Sequence, residues 1–122
     1  MKLFFQETSA FTDWVREQPE GWDTAFASLQ LQLMADPESG KVMKGCGGLR
    51  KVRMPDPSRG KGKRGGARIV YLHLPEADCV YMIDAYGKDE KDDLTPDDRK
   101  AFATFARIAK EKLFRATEKL EE

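Results

Sequence analysis

Cysteine and histidine are scarce in this sequence, with two of the first and one of the second among 122 residues. Cys46 and Cys79 belong to no CxxC motif and no Cys/His cluster, so neither a zinc site nor a disulfide framework has a basis, and both are read as reduced. Cys79 lies in an apolar run and is expected to pack. Cys46, between glycines, is expected to be more exposed, although a nucleophile there would lack a base. His73 cannot by itself supply the two-histidine acid–base scheme of some ribonucleases, and in an apolar strand it reads as a packed, hydrogen-bonded residue.

Long apolar runs are missing too. No stretch approaches the roughly 18 to 20 apolar residues of a membrane span, and MKLFFQETSA has too short an apolar run for a secretory signal. A cytoplasmic protein with no membrane partner is therefore expected. Acidic residues at metal-ligand spacing are not found, and the DEKDD run sits just before a helix start, where acids are commonly structural. The run RGKGKRGG does not have the GxxxxGK[ST] spacing of a phosphate-binding P-loop, and no helix follows it. No metal and no small-molecule cofactor are expected.

What is abundant is charge, and it is segregated. Lysines and arginines match aspartates and glutamates at 21 each, for a net charge of zero. Yet residues 1–40 carry a balance of −5, residues 41–75 one of +9, residues 76–98 one of −7, and the remainder one of +3. The basic middle segment favours polyanions while its flanks do not. The length fits one domain, residues 1–122, with one core.

Leu3–Phe5 reads as an edge strand. Thr8 or Ser9 caps a short helix carrying Phe11, Trp14 and Val15, and Trp22, Phe26, Leu29 and Leu33 recur at helical spacing over about 22–35. GCGGLRKVRM then changes to the period of a strand: Leu49, Lys51 and Arg53 point one way, and Arg50, Val52 and Met54 the other. With Val52 and Met54 in the core, Lys51 and Arg53 stand together on an open face. Residues 69–74 and 79–86, joined by PEAD, form a hairpin. Thr95-Pro96-Asp97-Asp98 starts a long helix with Phe102, Phe105, Ala109, Leu113 and Ala116 on one face. The sum is an α+β domain.

Arg59, Lys61, Lys63, Arg64 and Arg68 put five positive charges on and beside a glycine-rich loop, suited to following an RNA or DNA backbone without reading sequence. RNA cleavage without a metal can work through such cations. As a ribose 2′-OH attacks the adjacent phosphate, negative charge builds on the phosphate oxygens, and preorganised Arg and Lys groups stabilise it. Crowding by like charge disfavours the charged form of a lysine and suits it to act as a base; Lys51, beside Arg53 and Arg68, fits that description best.

The ordered blocks GCGGLRKVRM, GKGKRGGARIVYLHL and YGKDEKDDL resemble the RelE/HigB family of type II toxins, in particular its HigB-like branch. That resemblance implies a microbial-ribonuclease-like α+β fold, with an N-terminal helical hairpin packed on a twisted antiparallel sheet and a C-terminal helix. It also implies cleavage of messenger RNA in the ribosomal A site and neutralisation by a cognate antitoxin protein. Carried over by position, Lys51, Arg53, Arg68 and Lys88 become the catalytic cations. Arg50, Arg59, Lys61, Lys63, Arg64 and Tyr86 become RNA contacts, with Tyr86 the candidate for stacking on a base. The pattern is departed from at Asp89, where RelE has an arginine, and near Leu94 and Thr95, where RelE has its stacking tyrosine. A ParE-like gyrase inhibitor and a non-catalytic RNA-binding module are the alternatives.

Overall fold

Thr8 ties the first helix to the sheet. In the computed structural model, which describes residues 3–55, 66–87 and 94–121, with side chains to residue 112, its Oγ1 accepts from the Phe11 amide at 3.1 Å and donates to the Ile83 carbonyl at 2.6 Å. Strand β1 (Phe4–Glu7) leads through this cap into α1 (Ser9–Arg16), and α2 (Trp22–Ala35) follows. The helices meet through edge-on rings, with Trp14 against Trp22 at 5.7 Å and Phe11 against Phe26 at 5.9 Å.

Strands β2 (Lys41–Val42), β3 (Arg50–Met54), β4 (Ala67–Leu74) and β5 (Cys79–Gly87) complete the sheet, and α3 (Pro96–Glu121) ends the fold. The expected hairpin is β4–β5, turned by a short 3₁₀ helix at Pro75–Ala77 and by Asp78 with φ +48°. Thr95 and Asp98 cap α3 reciprocally, Oγ1 accepting from the Asp98 amide at 3.1 Å and Oδ2 from the Thr95 amide at 3.0 Å; this reciprocal arrangement stabilises the first turn.

The five strands run in the order β1-β5-β4-β3-β2. Four of them are antiparallel neighbours, as expected, but β1 pairs with β5 in parallel, Phe4 opposite Cys79 and Glu7 opposite Met82, so the sheet is mixed. A strand whose partner lies beyond two helices is free to join from either direction, and apolar alternation carries no sense of direction.

Both faces of the sheet are covered. On one, Val52, Met54, Ile69, Tyr71, Val80 and Met82 meet the aromatics of α1 and α2. On the other, Leu49, Val70, Leu72, Leu74 and Ile83 meet Ala106 and Ala109 of α3. This explains why β4 is buried at nearly every position. It also corrects two expectations. The face that bears Lys51 and Arg53 is not open along its length, because Leu49 on that face is fully buried. Cys46 is buried too, since the glycine turn around it docks on α3: a Cβ at Gly47 would meet Ala106 Cβ at 3.0 Å, and Lys110 Nζ donates to the Gly47 carbonyl at 2.9 Å.

Candidate functional site

Strand register decides which charged side chains can act together. On the α3 side of the sheet, Arg53 of β3 stands opposite Arg68 of β4, and Arg68 opposite Tyr86 of β5. Two residues along, the next row on the same face is Lys41, Lys51, Val70 and Asp84, one from each of β2 to β5. At about 3.3 Å of rise per residue the rows are roughly 7 Å apart. They form one patch of four cations, a phenol and a carboxylate.

Placing two arginines directly opposite each other is unfavourable in itself. Arg53 is exposed and keeps its charge in water, but Arg68 is only 7 % exposed. Among the described residues its Nη1 finds no hydrogen-bond partner. A buried guanidinium with an unused donor is costly unless an anion completes it, and a phosphate presents the paired oxygens that a guanidinium fork matches. Tyr86, opposite Arg68 in the register, packs against the edge of the α3-side core.

Asp84 went unremarked in the sequence. It lies next to a β-bulge, where the partners shift from Tyr71–Met82 to Val70–Asp84, and its Oδ1 accepts from the Ala85 amide at 2.9 Å. Lys41 was likewise missed, because β2 has only two residues. A lone acid within an otherwise apolar strand was the available signal for Asp84.

The other expected residues distribute as follows. Arg50 points to the opposite face, where its Nη1 donates to the Glu38 and Gly40 carbonyls at 3.0 and 2.8 Å and its Nη2 pairs with Glu38 Oε1 at 3.1 Å. The structure does not bring it to the patch. His73 is on that same opposite face, Nδ1 lying 3.9 Å from Glu38 Oε2. Arg59, Lys61, Lys63 and Arg64, in the segment connecting β3 to β4, and Lys88, directly after Gly87, lie outside the described residues, as do the acids of DEKDD. Among the described residues no group of three His, Cys, Asp or Glu side chains could hold a metal ion, and no helix is long and apolar enough to cross a membrane.

No family model matches the sequence. The fold, however, has close counterparts among solved structures. A mutant of the E. coli toxin RelE in the free state superposes with a TM-score of 0.59 at 17 % identity, covering 85 % of this chain and 96 % of that one. RelE in the intact E. coli RelBE toxin–antitoxin complex gives 0.57 at 18 %, covering 74 % and 100 %. The archaeal RelE–RelB complex from Pyrococcus horikoshii OT3 gives 0.53 at 14 %, covering 75 % and 100 %. The chain has the α+β fold of these proteins.

Proposed function

We propose that this chain is the toxin of a type II toxin–antitoxin pair, a metal-independent endoribonuclease that cleaves messenger RNA in the ribosomal A site and blocks translation. The observation that carries the reading is the row Arg53–Arg68–Tyr86 beside Lys51 and Asp84 on one face of a RelE-type sheet. The blocks around Lys51 and Arg68 support the HigB-like branch. Structures of such toxins with their antitoxins support a cognate antitoxin as partner here; the ribosome and messenger RNA in the cytoplasm are the targets of this reading.

The patch contains what the chemistry requires. The ribose 2′-oxygen forms a bond to phosphorus, the bond from phosphorus to the 5′-oxygen breaks, and the product carries a 2′,3′-cyclic phosphate. Arg68 and Arg53 meet the charge that builds on the non-bridging oxygens, already fixed in place before the reaction starts. Tyr86 offers a face on which a base can stack. Lys51 and Asp84 flank Val70 on strands two apart, roughly 10 Å between backbones. One removes the 2′-OH proton and the other protonates the departing 5′-oxygen; a carboxylate is suited to the first and an ammonium to the second.

Pulse labelling after induced expression tests the reading. Prompt loss of methionine incorporation, with messages cut within codons, is the expected result. Early loss of thymidine incorporation with translation intact would instead indicate a ParE-like gyrase inhibitor. Salt-sensitive RNA binding without cleavage, on or off the ribosome, would leave only a binding module.

A further inference from the structure

Next to the reaction patch, a recess of about 270 Å³ opens between the β2 edge and the start of α3. Among the described residues Lys41, Lys44, Lys51 and Arg99 line it, together with Val42, Met43 and Leu94. Lys41 and Lys51 are opposite each other in the β2–β3 register. Arg99 is anchored by a hydrogen bond from Nη1 to the Lys44 carbonyl, so one of its donors is spent on the turn and its guanidinium is held in position. Val42 is opposite Arg50 in the same register, so its side chain stands on the other face, and Met43 and Leu94 supply the apolar lining of the recess. Four cations around a concave wall with the half-buried Leu94 suit a unit that is anionic on one side and apolar on the other, which is the chemistry of a nucleotide.

We infer that this recess is a second nucleotide subsite, in which Lys41, Lys44 and Arg99 hold the phosphate adjoining the scissile one while its sugar or base rests on Leu94. The inference rests on the RNA-cleaving reading and names how the substrate strand is held. Lys51 belongs to both places, so the strand passes from the recess directly onto the Arg53–Arg68 row. Two adjacent phosphates gripped on either side of one lysine keep the sugar between them from rotating, and that alignment is what an in-line attack requires.

The test uses purified protein and a single-stranded RNA oligonucleotide in which one linkage at a time is replaced by a neutral methylphosphonate. Wild-type affinity should drop at two neighbouring linkages. K41Q/K44Q should lose sensitivity at one of them and Arg68→Ala at the other. In K41Q/K44Q the slope of log affinity against log salt should fall by roughly 0.7, the value for one single-strand phosphate. Both lysines are exposed, so the double variant should melt with the wild type. A single sensitive linkage, or an unchanged salt slope in the double variant, overturns the subsite. So does lost ribosome binding with unaltered oligonucleotide binding, which would assign the recess to structured RNA. Two sensitive linkages in a protein whose expression leaves translation running would instead keep the subsite and discard the toxin reading.

Discussion

Arg68 carries more of the site than any other residue, because it combines burial, an unused donor and a position between Arg53 and Tyr86. Arg68→Ala should therefore lower single-turnover message cleavage by about 100- to 1000-fold, as removal of one preorganised donor typically does. The fold and antitoxin binding should survive. Arg68→Lys should be impaired as well, since a lysine has no planar fork. Wild-type cleavage by a folded Arg68→Ala protein would remove the residue from the mechanism. Lys51 and Asp84 are separable by pH: the variant lacking the base should lose the rise of rate with pH, and the variant lacking the proton donor should lose the fall. Comparing the profiles of Lys51→Ala and Asp84→Asn assigns the roles, and two unchanged profiles would mean that neither moves a proton. The defects of Lys51→Ala and Arg68→Ala should be less than additive if both act on one transition state.

At the scale of elements, the joint between the α2–β2 turn and the central strand is a stability determinant. The Gly40 amide donates to Tyr71 Oη at 2.9 Å, and a Cβ at Gly40 would stand 2.7 Å from that same oxygen. Tyr71→Phe should cost about 1 to 3 kcal/mol in urea denaturation at neutral pH, because it strands a buried N–H. Burial holds the Tyr71 phenol above its ordinary value of 10.0, outweighing the Gly40 hydrogen bond that pulls the other way. A phenol that ionises later in the folded state stabilises below about pH 10, and its contribution is lost as pH rises further. The gap between wild type and Tyr71→Phe should thus narrow in alkali; a constant gap would contradict this.

Most elements were legible because their signals are local. The Thr8 and Thr95 caps, the helical spacing of Trp22 to Leu33 and the alternation from Val52 to Met54 each fall where expected. What was not legible depends on partners distant in sequence. Lys41 joins the patch only through its pairing with Lys51, and Asp84 only through a bulge that turns it to the Val70 side. Cys46 looked exposed among glycines because nothing local reveals that α3 covers it. Arg50 shows the reverse: strand alternation alone already put it with Val52, on the face away from Lys51 and Arg53.

The whole molecule is a sheet with a core on each side, and one core holds both thiols: Cys46 and Cys79 lie on the α3 side, 1 % and 2 % exposed. Burial raises both thiols above their ordinary 9.0, which suppresses the reactive thiolate. Native protein should resist a thiol reagent such as DTNB, and the two should react together at a rate that follows global unfolding. Fast reaction of Cys46 alone would mean that the glycine turn opens independently of the sheet.

The parallel pairing of β1 with β5 has one more consequence, for the order of events during synthesis. Phe4–Glu7 leaves the ribosome well ahead of its partner, which lies 75 residues later in the chain. Loop closure of that span precedes any reward from the pairing, so β1 and the Thr8 anchor wait until Cys79–Met82 has emerged. Of the five strands the first made is the last to be seated, and the nascent sheet stays incomplete until Met82 has been translated.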